Sequence, residues 1–235
     1  MIAIAALTGT SCLAQAPVQL KVVKDSPFSA QAVTMSRQQL VDGNRITHQT
    51  TAFIARDSDG RTRREQRPST GSVSVVFIQD PLAGVVYVLD PQAHSARKIV
   101  MAMRETDSSA EIPKSALIAG NGRADRSNIR SEDLGSQIIE GFVVQGVRLT
   151  RLLAAGQNGN ERPLEIVSEA WYSDELQTLV MSKNFDPRVG ETTYQLTDIK
   201  RGEPSRALFE VPTDYLIRDD PQATDPRTTE SPKIK

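Results

Sequence analysis

Apolar and polar residues alternate along most of the chain with the period of two that marks β-strands, and short Asp-, Gly- and Pro-rich punctuation separates the runs. The pattern predicts strands over Ala32–Val41 and Arg45–Arg56 around the turn Asp42-Gly43-Asn44, a strong hairpin signal. A second turn, Asp57-Ser58-Asp59-Gly60, leads into Arg61–Arg67. Val73–Gln79 and Val85–Asp90 then flank Asp80–Gly84, and Ala96–Met103 follows Pro91. Further on, Leu134–Ile139, a turn at Glu140-Gly141 and a long strand Phe142–Leu153 precede the polar loop Ala154–Pro163. The stretch Leu164–Tyr215 holds three strand-like runs and two turns, then an anchor, Leu208-Phe209-x-x-Pro212-x-x-Tyr215. Consecutive hairpins imply an antiparallel meander. The expected fold is mainly β, a single curved antiparallel sheet with few short helices.

The middle strands carry extra information. Val75–Ile78 and Val85–Leu89 are apolar on both faces, so each should be covered on both faces or line a cavity. Arg104–Asp133 breaks the strand pattern and reads as a long loop, with Ile112–Ile118 as its apolar patch. A loop of that length in a compact domain is functional or disordered. The candidate ligand-binding set is therefore Phe77, Tyr87 and Leu89 on the strands, with Ile112, Leu117 and Ile118 on a lid. The expected layout is a leader over residues 1–16, one β domain over 17–217 with a loop or lid at 104–133, and a disordered tail over 218–235.

Composition narrows the class. Apolar residues make up 38% of the 235, and 14 glycines bring the share to about 44%, just under the roughly 45–50% usual for globular chains. A formal charge of −1 gives no global attraction to nucleic acid or to an acidic membrane. Met1–Ala16 carries no charge and ends in small residues, as a secretory leader does, with cleavage expected after Ala14 or Ala16. It is too short for a transmembrane helix, which takes about 20 apolar residues. Cys12, the only cysteine, follows Gly9-Thr10-Ser11, a faint likeness to a bacterial lipidation box without its leucine; loss with the leader would leave the mature chain without a thiol. The tail from Arg218 is almost devoid of apolar residues and holds three prolines.

Candidate chemistry is sparse. His48 shares a strand face with Ile46, Ala52 and Ile54 and is expected to be semi-buried, whereas His94 sits in a polar turn; neither has a partner at zinc-ligand spacing. No G-x-S-x-G elbow occurs, and the acidic residues lie mostly in turns beside Gly or Pro. Asp57–Gly60 has its glycine in fourth place, which suits a hairpin turn and not an EF-hand loop. Arg61, Arg63 and Arg67 share a face with Glu65, while Thr62, Arg64 and Gln66 face the other way. No aromatic interleaves that strip for base stacking, so it reads as a solvated or cross-strand-paired face. Trp171, the only tryptophan, is expected in the core with its N–H on a carbonyl.

The phrases DSDGRTRRE, IQDPLAGVVYVLDP, AGQNGNERP, SEAWYSDELQ and DPRVGETTY resemble a group of secreted bacterial proteins along most of the mature chain. More distantly, Ile139-x-Gly141, Trp171-Tyr172-Ser173-Asp174, Leu179-Val180, the Gly190 turn, Ile199 and Leu208-Phe209-x-x-Pro212 resemble a second group. This is the LolA/RseB-like superfamily of periplasmic lipoprotein carriers and lipoprotein-sensing regulators of the envelope-stress sigma factor. That resemblance implies a half-open barrel whose apolar concave face receives acyl chains and is partly plugged by helices, although this chain offers almost no helix for a plug. The leading expectation is a periplasmic or secreted, non-catalytic module for a lipid or other apolar ligand, without a cofactor. The alternatives are an envelope-stress regulator that binds an envelope protein and, third, an enzyme.

Overall fold

Aspartates shape the turns that stack the strands. At Asp80-Pro81 the carboxylate accepts the Leu82 and Ala83 amides at 3.0 and 2.9 Å, and at Asp90-Pro91 it accepts those of Gln92 and Ala93 at 2.9 and 3.0 Å. Asp186-Pro187 repeats the device with the Arg188 amide at 2.9 Å. Proline presets the backbone while the carboxylate imitates a turn carbonyl, so each pair reverses the chain in few residues. At the first hairpin Gly43 takes φ +84°, which a β-carbon would disfavour.

The computed structural model describes residues 22–68, 72–101, 128–157 and 159–219. The strands are β1 (Phe28–Gln39), β2 (Arg45–Arg56), β3 (Thr62–Arg67), β4 (Val75–Asp80), β5 (Val85–Asp90), β6 (Ser95–Val100), β7 (Ile129–Ile139), β8 (Phe142–Leu153), β9 (Leu164–Ser173), β10 (Thr178–Asp186), β11 (Gly190–Arg201) and β12 (Leu216–Asp219). They form one curved sheet in the order β12-β6-β5-β4-β3-β2-β1-β11-β10-β9-β8-β7, not closed into a barrel. Two meanders, β1–β6 and β7–β11, are sewn together where β1 pairs with β11. At that seam an extra residue bulges β11 where Asp198 takes φ 52°. Helical structure among the described residues is confined to a 3-10 turn, Arg206–Phe209, and to Asn128 just ahead of β7.

The edges of the expected loop and tail differ from the sequence reading at two points. β7 begins at Ile129, so residues 129–133 belong to the sheet and not to the loop. Arg218 and Asp219 belong to β12 and not to the tail. That strand pairs with β6 in parallel, the exception in an otherwise antiparallel sheet. The rest of the expected lid, with Ile112, Leu117 and Ile118, lies outside the described residues, as does the chain before residue 22 and after 219.

Two apolar clusters hold the sheet. One gathers Phe28, Ala30, Ala32, Ala52, Leu196 and Val180 with Phe142, Val144, Trp171 and Leu176. Ala32 stands opposite both Ala52 and Leu196, and such small side chains let neighbouring strands curl inward. Trp171 is buried opposite Gly146, where a β-carbon would stand only 2.5 Å from the indole ring. Its expected hydrogen bond is not made: Nε1 is buried with no partner among the described residues. The other cluster joins Ala55, Val76, Ile78, Leu89 and Ala96 to Phe209, with Leu208, Val211 and Tyr215 packed around them. Full burial of side chains like Ile78 and Leu89 contributes about 1.5–3 kcal/mol each.

Candidate binding groove

Residues directly opposite across antiparallel strands share a face, and neighbours along one strand alternate. The register from β1 to β5 is unbroken, so it assigns every side chain there. One face carries Phe53 and Ala55, Arg63 and Glu65, Val76 and Ile78, Tyr87 and Leu89. The opposite face carries Phe28 and Ala32, Ile54 and Arg56, Arg64 and Gln66, and Phe77.

The first of these faces is sealed. The 3-10 turn and the residues after it lie over β4–β6, and polar contacts pin them. Glu203 accepts the Ser58 amide at 3.1 Å, Leu208 O accepts Arg63 Nη1 at 2.8 Å, and the Leu216 amide donates to His94 O at 2.9 Å. His94 Nδ1 lies 2.7 Å from Asp214 Oδ2, and its ring stacks on Tyr215. Two of the sequence candidates lie on this sealed face: Leu89 is buried in the cluster and Tyr87 packs against it.

Phe77 points the other way, into open space. With Phe28, Ile54, Arg56, Thr62 and Arg64 it lines a groove of about 470 Å³ across β1–β4. A neighbouring hollow of about 330 Å³ is lined by Ala32, Thr34, Ala52 and Ser74, and the two share Arg64 and Gln66. Phe28, Ile54 and Arg64 escaped the sequence reading. The signal was present in the length of the Asp80–Val85 turn, which sets Ile78 opposite Tyr87 and so turns Phe77 to the other face.

The arginines divide sharply. Arg61 Nε bonds the buried Asp57 at 2.6 Å and its guanidinium lies 5.4 Å from the Phe209 ring centroid. Arg63 and Arg67 share Glu65, at 2.8 and 3.3 Å, as expected of a paired face. Arg56 is buried on the groove side, donates to Ser26 O at 3.0 and 2.8 Å and to Leu176 O, and lies 4.9 Å from the Phe28 ring centroid. Burial pulls its pKa below the ordinary arginine value, and the same desolvation raises that of the Tyr172 phenol. Arg64 is exposed and has no carboxylate partner among the described residues. Its charge draws down the pKa of Tyr194, a smaller effect than the burial that raises it.

The histidines do not contribute. His48 is exposed on β2, not semi-buried, and no cluster of metal-ligating side chains occurs among the described residues. No described helix is long and apolar enough to cross a membrane.

No protein-family model matches the chain, and no curated protein matches its sequence. Solved structures give distant likenesses. An uncharacterized conserved protein from Thermus thermophilus is 9% identical with a TM-score of 0.46, over 83% of this chain and 91% of that one. The Pseudomonas aeruginosa MucA/MucB complex is 13% identical at 0.46, over 80% of this chain but only 56% of the matched chain. A LolA superfamily protein from Nitrosomonas europaea is 9% identical at 0.33, over 79% and 90%. Proteins of the group resembled in the sequence are thus among these distant likenesses, without a sequence-level family.

Proposed function

We propose that this protein is a non-catalytic binding module of the bacterial envelope that holds a lipid or other apolar ligand in the groove on β1–β4. The observation that carries this reading is the division of the middle strands. One apolar face is sealed by the chain's own C-terminal segment, while the half-buried Phe77 and Ile54 line open space on the other, with the buried Phe28 beneath them. Apolar surface left in water costs about 25 cal/mol per Å², so such a floor favours an apolar occupant. A groove of about 470 Å³ lies within the roughly 300–1,000 Å³ of small-molecule sites.

A second reading, a module that binds an envelope protein, draws support from the edge hairpin β7–β8. Ile138 and Val143 stand opposite one another there and are 73% and 61% exposed. Displacement of a hydrophobic dye separates the two readings. Binding of the dye to folded protein, release by decanoate or 1-decanol, and weakening of both by Phe77→Asp are expected for the groove. Dye binding that appears only on unfolding would overturn the groove reading and favour the protein partner.

A further inference from the structure

We infer that the groove selects an anionic amphiphile, a single acyl chain with a carboxylate or phosphate head, and that Arg64 holds the head. This rests on the groove being a lipid site and specifies what kind of lipid it takes. Arg61, Arg63 and Arg67 are committed to Asp57 and Glu65, and Arg56 is held by two main-chain carbonyls. Arg64 is left without a carboxylate among the described residues, at the point shared by the two hollows.

The surroundings fit an anion. Neither hollow is lined by an aspartate or glutamate, so nothing in the lining neutralises the guanidinium. Gln66 and Thr34 add neutral hydrogen-bonding groups beside it. A guanidinium presents paired N–H donors that match the two oxygens of a carboxylate or phosphate, and a partly walled groove strengthens that contact relative to open water. The apolar side chains are placed for the rest of the molecule. Ile54 and Phe77 are the direct cross-strand neighbours of Arg64 on β2 and β4, so apolar side chains flank the head on both sides, and a chain leaving it over Ile54 would run toward Phe28.

Calorimetric titration of the full chain with decanoate, 1-decanol, acetate and inorganic phosphate, each below any micellar concentration, tests the assignment. Decanoate is expected to bind roughly tenfold or more tighter than 1-decanol, the scale of one charge-assisted contact. Arg64→Gln should bring decanoate down to the level of 1-decanol, with a wild-type far-ultraviolet circular dichroism spectrum and melting temperature showing that the variant remains folded. Acetate and phosphate should bind too weakly to measure. Equal binding of decanoate and 1-decanol by the wild-type chain would overturn the role of Arg64 while leaving the lipid reading in place. Binding of acetate or phosphate as tightly as decanoate would overturn the amphiphile, and binding of neither ten-carbon probe would overturn both readings.

Discussion

The Trp171 cluster and the Phe209 cluster bury similar kinds of side chain, yet they are closed in different ways. Around Trp171 the walls are sheet strands and the turn between β9 and β10, so closure needs only the curl of the sheet. Arg201 adds a lid of its own, 3.8 Å from the Phe142 ring centroid while it bonds Glu175 at 2.6 Å. Around Phe209 one wall is a segment with little regular structure, held by a handful of polar contacts and a strand of four residues. A wall made of strands can open only if the sheet does. A wall made of a pinned segment can open by itself, so the two clusters should differ in cooperativity more than in size.

The largest effect is expected at the strand-walled cluster. Trp171→Ala should cost roughly 3–5 kcal/mol, the usual range for a buried large aromatic, with one global transition in chemical denaturation. A near-neutral variant with a quenchable indole in the wild type would remove Trp171 from the core. Phe209→Ala should cost about 3 kcal/mol, the low end of that range, because its wall can relax. Amide hydrogen exchange is the discriminating measurement. In Phe209→Ala, residues 206–219 should lose protection while β8 and β9 keep theirs, and uniform loss would erase the proposed contrast between the clusters.

Gly146→Ala comes next, at about 1–3 kcal/mol, since the added methyl must displace the indole it faces. In a Trp171→Leu background the same change should cost markedly less, and additive costs in the double-mutant cycle would show that the two residues do not share the site. The smallest effect concerns acid. The guanidinium of Arg188 holds Asp186 below the usual carboxylate range, against the opposing pull of burial. The stabilisation is present above the ordinary aspartate pKa and is lost as pH falls through the lowered value. Asp186→Asn should therefore lower stability slightly in the neutral region and leave the acid end nearly unchanged, which flattens the acidic limb. A steeper acidic limb in the variant would reverse that sign.

Much of the sheet was legible from local chemistry. The bounds Arg45–Arg56, Val85–Asp90 and Phe142–Leu153 follow from alternation ended by Asp, Gly and Pro, and the structure keeps all three. Pairings between distant parts of the chain left no such mark. Nothing in the text of β1 points to β11, and Gly146 reads as a weak strand residue until Trp171 is seen across from it. The candidate site was half legible for the same reason. Both-faced apolarity pointed to β4, whose Phe77 lines the groove, but separating Phe77 from Tyr87 and Leu89 needs the register, and knowing which face is free needs Phe209. Arg64 stood out only once Arg61, Arg63 and Arg67 were seen to be paired on the other face.

The seam between β1 and β11 also bears on the order of events in folding. Every other antiparallel pair in the sheet joins strands consecutive in sequence, whereas this one brings Phe28 to Arg201 and Arg37 to Glu191. Contacts between residues far apart in the chain slow folding more than local ones do. Each meander can therefore assemble from its own hairpins, and their union waits until both exist. During that interval β1 and β11 are bare edges, each a template for strand exchange with another copy of the chain. The middle of the finished sheet is thus its latest and most aggregation-exposed junction, and a chaperone that shielded β1 until β11 arrived would protect the chain at the step where it most needs help.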